Sequence, residues 1–588
     1  MRIAPPLLAI LLTGAPGLAA QDPAPDVETP VDTSRAPLLA HKKLRQAMAR
    51  LATEHSDLVT VLPLGWSRGE RYDGRMQIEA LRLAAGELVE GRPAILIVAN
   101  LEGPLAYTSG VALDLCRSLA EGYASDEKIR ALLDSTTILV IPRANPDSAE
   151  ARFRRVQVEV RSSGADADTD RDGLKGEDGR DDINGDGYVT VMRVPDPAGE
   201  WEADPADPRI LRKADRKRGD RGIWKLVDEG RDSDGDGAAS EDRPFDAEVN
   251  HNFGAGFEDH TPHAGLFPTS EPETRALCEF VMAHENIQLV LVYGELDNLA
   301  ETPDGVADDA PSVKNIPPAG LRKSDAELLS EIGRRYREIA EAPAKETGDD
   351  AGSFQRWCYD HRGLMTLEMN LWSIPLDSES EDSESEGTES EATEAEGQEE
   401  EEGEPQTKPS DDVLRLRWAE THGIVDAHLG WTPYEHASLG AVEIGGFRPF
   451  ALIEPPAEHR VRIADEQLEF LLTLGDLLAA VRLDEVWATD LGSGLLEVHA
   501  TLVNDSFFPL LTTWGRRTRT TRPARVLLRL PAGAEILAGE RQTLVSNLPG
   551  LGGSREFIWL VRGAAAESIG VSVDTDHAGT HQAQPEVR

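Results

Sequence analysis

The chain has 588 residues and a formal net charge of −46, from 106 Asp and Glu against 60 Lys and Arg. That excess argues against nucleic acid as a partner, since phosphate binding needs a basic face, and suits cations, basic peptides or plain solubility. The length exceeds one ordinary core and points to several domains.

Residues 1–20 read as a signal peptide. Arg2 is the positive start, Leu7, Leu8, Ile10, Leu11 and Leu12 the apolar stretch, and Gly17, Ala19 and Ala20 the small residues before cleavage. Pro5, Pro6 and Pro16 and the short length argue against a permanent membrane helix, and no later stretch reads as a span. The expected destination is periplasmic or extracellular.

A Pro/Asp-rich spacer covers 21–37. The spacing of Leu44, Met48, Leu51 and Ala52 predicts a helix over 41–54. Strands are expected over 58–64 and 76–83. The apolar runs 94–99, 137–142 and 287–292 suit central strands buried on both faces. Helices are expected over 110–121 and 271–284. Strands and helices joined by short links predict a doubly wound α/β sheet flanked by helices. Cys116, Cys278 and Cys358 are too few and too scattered for a disulfide framework, so buried free thiols are expected.

Two insertions interrupt this pattern. Residues 162–245 are rich in Asp and Gly and contain three Asp-x-Asp/Asn-x-Asp-Gly runs. These are Asp168, Asp170, Asp172; Asp182, Asn184, Asp186; and Asp232, Asp234, Asp236. Alternate oxygens reach one hard cation and the Gly allows the turn, so structural calcium is expected here. The twelfth loop positions are Gly179, Arg193 and Arg243, not Glu, so these are not EF-hands. Residues 377–412 hold a Ser/Glu tract with almost nothing to bury, expected to be disordered. After a connecting segment at 451–482, short alternating stretches (Leu496, Val498, Ala500, Leu502; Val526, Leu528, Leu530; Phe557, Trp559, Val561) predict an all-β sandwich over 483–588.

The order of several motifs between about 40 and 450 resembles the zinc carboxypeptidase family. The motifs are Ser67 to Arg75, Ala94 to Gly103, Asn145-Pro146-Asp147, Asn250-His251-Asn252-Phe253, Ser270 to Thr274, Gly352 to Trp357, Gly363 to Trp372, and Trp431 to Gly446. The resemblance implies a carboxypeptidase-like domain over 38–450. It also implies a zinc site built from His-x-x-Glu after one strand and a His after another, with a Glu general base downstream.

At those positions stand other residues. Glu102 replaces the first His, Leu105 the Glu, and Gly294 the second His. Asn370 falls at the general-base position when Trp357, Gly363 and Leu371-Trp372 anchor the comparison; Glu368, two residues earlier, points the same way along a strand. Asn250 and His251 match the element that grips a substrate's terminal carboxylate, with His251 in place of an Arg. Leu and Gly offer no metal donor and Asn no proton-accepting carboxylate. Zinc is therefore doubtful. The expected function is a non-catalytic binder of a peptide or cell-envelope ligand. The alternatives are an active metallocarboxypeptidase with atypical ligands and a calcium-stabilised interaction protein. Glu102, Glu295, Asp297 and Glu368 are read either as an oxygen-rich cation cluster or as solvated carboxylates.

Overall fold

A computed structural model describes residues 32–69, 74–87, 91–163, 178–217, 219–233, 235–240, 247–311, 319–340, 350–376 and 409–588. The signal peptide, residues 21–31 of the spacer, Asp168, Asp170, Asp172, Asp234 and residues 377–408 lie outside them.

In chain order the α-helices among the described residues are α1 (His41–Glu54), α2 (Ala106–Gly122), α3 (Glu127–Ser135), α4 (Pro146–Glu150), α5 (Pro272–Ala283), α6 (Lys323–Ile339), α7 (Phe354–Arg362), α8 (Asp411–Thr421), α9 (Ala457–Gly475) and α10 (Thr513–Thr518). The strands are β1 (Val59–Trp66), β2 (Gln77–Leu83), β3 (Ala94–Ala99), β4 (Thr137–Ile141), β5 (Val191–Pro195), β6 (Trp201–Asp204), β7 (Asp207–Lys213), β8 (Trp224–Asp228), β9 (Ile287–Tyr293), β10 (Met365–Met369), β11 (His428–His436) and β12 (Gly440–Phe447). The strands after these are given by residue range.

The central sheet runs β1-β2-β4-β3-β9-β10. Its β1–β2 and β2–β4 pairs are antiparallel, and β4, β3, β9 and β10 are parallel. Every residue of β3 and β4 is buried, as their unbroken apolar runs predict. Alternation splits β3 between two cores. Ile95 and Ile97 join a cluster with residues of α1, α2, α6 and α9, while Leu96 and Val98 pack with Leu277, Phe280, Phe354 and Trp357. All three cysteines are buried and free.

The 162–245 insertion is more than loops. Its strands β5 to β8 join β11 and β12 in a second six-stranded sheet, ordered β11-β12-β5-β8-β6-β7. Met192, Val442 and Ile444 cover one face of it in a small core. The segment read as a connector instead carries α9, which packs against α2, α3 and α6 and buries Phe470, Leu471 and Leu474 in the main core. The expected insertion end at 412 falls inside α8.

From Val481 the chain forms two sheets. One has five strands (Glu535–Ala538, Gly553–Arg562, Leu495–Asn504, Val481–Gly492, Glu586–Val587) and the other four (Gln542–Val545, Ala524–Arg529, Gly570–Asp574, Thr580–Ala583). Leu496, Val498, Ala500 and Leu502 all face inward, as their alternation predicts. This region is tied to the α/β part through buried Asp325 on α6. Its carboxylate accepts from the Tyr359 hydroxyl of α7 (2.7 Å) and from the backbone N–H groups of Thr513 (2.9 Å) and Trp514 (3.1 Å).

Removing that acceptor strands three donors. Asp325→Ala is expected to cost about 3 kcal/mol and to expose the 510–522 segment to protease. Chemical denaturation with limited proteolysis checks this; a loss below about 0.5 kcal/mol, the scale of an ordinary surface change, contradicts it.

Candidate functional site

Strands β3, β9 and β10 are parallel neighbours, so the segments leaving their carboxyl ends meet at one edge of the sheet. That is where open α/β sheets place their ligands. After β3 the chain turns at Asn100, in the left-handed region with φ of 58°. Its side-chain Nδ2 donates to the carbonyls of Glu102 (2.8 Å) and Gly103 (3.1 Å), holding the turn. Gly103 is required here, because a Cβ on it would lie 1.7 Å from Ser148 Oγ. Asn145 caps α4 by accepting from Ser148 N (3.2 Å) and donates to Leu101 O (3.2 Å). Asp147 accepts from Ser67 Oγ (2.7 Å) and Gly69 N (2.6 Å). In this chain the Asn-Pro-Asp motif is a structural clamp that fixes the turn carrying Glu102.

Glu102 is almost fully buried. Its Oε1 accepts from Asn250 Nδ2 at 2.6 Å, and its Oε2 has no hydrogen-bond partner. Glu368, in β10, is wholly buried and neither of its oxygens has a partner. The two carboxyl groups meet at Gly294, just past β9. A Cβ there would lie 2.5 Å from Glu368 Oε1 and 3.3 Å from Glu102 Oε2. The missing side chain is thus the space into which the Glu368 carboxyl extends. Burial first, then the charge of Glu295, pushes Glu102 up to about 8, against the pull of Asn250. Burial, then Glu102 and Asp297, pushes Glu368 well above the carboxylate range.

The structure brings together Glu102, Gly294, Asn250 and Glu368. It does not bring Asn370 to them. Asn370 lies beyond the end of β10, partly exposed, donating its N–H to Asp297 (3.3 Å) and accepting from Trp372 N (3.3 Å). Leu105 flanks the start of α2 and is buried in the apolar core. Asn250 is engaged at both ends, since its Oδ1 accepts from Phe354 N at 2.9 Å. His251 is half-buried, with Nδ1 3.0 Å from Ala351 O and Nε2 4.0 Å from Glu248.

The wider acidic set divides. Glu295 pairs with Arg161, and Asp297 accepts from the N–H groups of Leu299 (2.9 Å) and Ala300 (2.7 Å). Neither Glu102 nor Glu368 is solvated. No local pattern marks Arg161 in the sequence. Glu368 did carry a signal: it is the single charge in a wholly buried strand, Met365 to Met369.

Catalytic zinc needs three protein donors and an open position. The residues here offer two carboxyl groups, an apolar side chain and a glycine, which do not fit. Among the described residues no group of three or more His, Cys, Asp or Glu side chains is placed to hold a metal ion.

In the Asp/Gly insertion, Asp182 accepts from the N–H groups of Gly185 (2.8 Å), Asp186 (3.0 Å) and Gly187 (3.0 Å). Asn184 Oδ1 accepts from Asp186 N (2.8 Å) and Asp186 from Tyr188 N (2.9 Å). Asp232 repeats the pattern with Gly235 (2.7 Å) and Gly237 (3.1 Å), and Asp236 accepts from Ala238 N (2.8 Å). These carboxylates are turned onto their own backbones.

The family model of the zinc carboxypeptidases matches residues 44–377, more than half of the chain. The chain belongs to the zinc carboxypeptidase family. A second model, a domain of unknown function, matches residues 480–586. Among curated proteins the chain is similar to carboxypeptidase D of Mus musculus, 35% identical over 96 residues, which is 16% of this chain and 7% of that protein. It is also similar to a zinc carboxypeptidase of Saccharothrix mutabilis subsp. capreolus, 32% identical over 99 residues, 17% of this chain and 22% of that protein. The chain therefore spans under a quarter of the length of these relatives. Among solved structures, thrombin-activatable fibrinolysis inhibitor aligns over 59% of this chain and 69% of its own, at 12% identity and a TM-score of 0.34. Carboxypeptidase A of Helicoverpa armigera aligns over 60% and 70%, at 14% identity and a TM-score of 0.34.

The buried pair makes the family member's stability fall with pH. A carboxyl group raised in the folded state contributes fully below its unfolded value, near 4.5, and loses that contribution as pH rises through about 8. Glu102→Gln removes one titrating group. The wild-type melting temperature is expected to drop between pH 5 and pH 8.5, and the variant's to drop markedly less. Equal slopes contradict the buried-pair geometry.

Proposed function

We propose that this chain is an exported carboxypeptidase-fold protein that has given up zinc hydrolysis and binds a peptide or cell-envelope ligand. The observation that carries the reading is the meeting of Glu102 and Glu368 over Gly294, where the family's zinc ligands are expected. Glu102 bonded to Asn250 is not a metal-ready imidazole, Leu105 is part of the core, and Gly294 supplies no donor. Three replaced ligand positions leave the water-activating step of a zinc peptidase without its metal.

Ligand contact then falls to the residues around the pair. A cavity of about 280 Å³ opens beside β10, lined by Asp297, Asn298, Asp350, Gln355, Arg356 and Thr366 among others. Its carboxylates and those of the Arg161–Glu295 edge favour a basic peptide over an acidic one. His251 offers a single remaining ring nitrogen in place of a planar guanidinium fork, so it holds a terminal carboxylate less firmly than an Arg.

One observation favours a second reading. Three oxygens of Glu102 and Glu368 lack a hydrogen-bond partner, which also suits a hard cation such as calcium, magnesium or manganese. Structural calcium in the Asp182 and Asp232 loops is a separate proposal, resting on the repeated spacing of their oxygens.

Incubating the purified protein with basic and acidic peptides bearing free carboxyl termini tests the function. The basic set is expected to bind in calorimetry and to be recovered at full length by mass spectrometry. Release of terminal residues contradicts the proposal. For the loops, calcium chelation is expected to lower the melting temperature by several degrees; an unchanged curve removes the calcium proposal.

A further inference from the structure

The second sheet encloses a cavity that the carboxypeptidase reading does not use. It measures about 340 Å³, within the roughly 300–1,000 Å³ common for small-ligand sites. It exists because the six-stranded sheet curls until its outer strands touch. Trp431 Nε1 of β11 donates to the Arg209 carbonyl of β7 at 2.9 Å. Arg193 braces the Trp431 ring, stacked 4.5 Å from it and 4.6 Å from Trp224 and paired with Glu443 at 2.7 Å.

The opposite face of this sheet is filled by Met192, Val442 and Ile444. On the cavity side, Trp201, His428, Trp431 and Phe447 surround empty space and remain partly exposed. Protein interiors rarely leave voids much larger than a water molecule, and aromatic groups left half-buried forgo burial free energy that an occupant restores.

Most charges around the cavity are paired. Arg180 pairs with Asp228 at 2.9 Å, and Arg209 pairs with Asp207 (2.6 Å) and Glu420 (2.5 Å). Asp412 pairs with Arg415 at 2.8 Å, and Glu159 accepts from Phe450 N at 2.6 Å. Burial, then the nearby Arg209, lowers His428 below its usual value, so its ring is neutral at neutral pH. Each Arg and Asp that lines the cavity is already engaged by an opposite charge, and the remaining excess is acidic, which disfavours anionic occupants. What remains is an aromatic wall beside guanidinium donors and carboxylate acceptors. A sugar ring offers the complement: apolar C–H faces for aromatic side chains, and hydroxyls that both donate and accept.

We propose that the cavity between β5, β7, β8, β11 and β12 binds a short neutral saccharide. Arg180 is placed to select it, because it uses Nε on Asp228 and Nη1 on the Glu159 carbonyl and keeps its Nη2 donors available.

The test uses full-length protein titrated with cellobiose and chitobiose, and with glucuronic acid and glucosamine as charged probes, by tryptophan fluorescence and calorimetry. A saturable change with at least one neutral disaccharide is expected, with charged probes at least tenfold weaker. Arg180→Ala, at a part-exposed ion pair, is expected to weaken binding about tenfold while the melting temperature stays within about two degrees. His428→Ala serves as the second variant, with a similar loss. No saturable change with either disaccharide, tighter binding of a charged probe, or neutral binding that survives both variants overturns the proposal.

Discussion

Two carboxyl groups held out of water, where three parallel strands end, set the terms for the rest of the site. A buried carboxylate is costly unless it is neutralised or paired. Glu102 and Glu368 face each other over Gly294, with Asn250 bonded to Glu102 and three oxygens without a hydrogen bond. Such a pair must hold a proton or a cation. The donors present favour the proton, because the surrounding positions offer Leu105 and Gly294 where metal ligands are expected. Local contacts aim the pair: Asn100 holds its turn, Gly103 lets α4 approach, and Asp147 fastens the 67–69 segment. A fold can keep the architecture of a site while the chemistry of that site changes.

The insertion gives the domain a second sheet. Trp431 to Gly446, which resemble a segment that follows the catalytic domain, build β11 and β12 and pair with β5 of the insertion. A long Asp/Gly-rich segment within a compact domain needs a fold of its own to persist. Here β5 to β8 provide it, with buried Glu229 accepting from the N–H groups of Ile183 (3.0 Å) and Thr190 (2.9 Å) to anchor the Asp182 loop.

Much of this was legible in residues alone. The runs 94–99 and 137–142 announced central strands because both faces are covered, and Leu496 to Leu502 announced a half-buried strand by alternation. Motif spacing singled out Glu102 and Gly294, which the structure brings together. The choice between Asn370 and Glu368 was not legible, because residues two apart on a strand share a face and only the strand's end separates them. β10 stops at Met369, leaving Glu368 inside and Asn370 in the turn. Helix α9 was missed because its neighbours lie hundreds of residues away in α2 and α3, and the insertion's sheet because Asp/Gly density hid the short apolar stretches between. Arg161 and Asn250 acquire their partners only through the tertiary fold.

The most direct test of the central claim is the metal content of purified protein after dialysis against excess zinc and calcium, taken beside a carboxypeptidase assay on the same sample. The account predicts less than a tenth of an equivalent of zinc and no release of terminal residues, on the order expected when the ligand set is incomplete. One tightly held zinc per chain with terminal-residue release would contradict it.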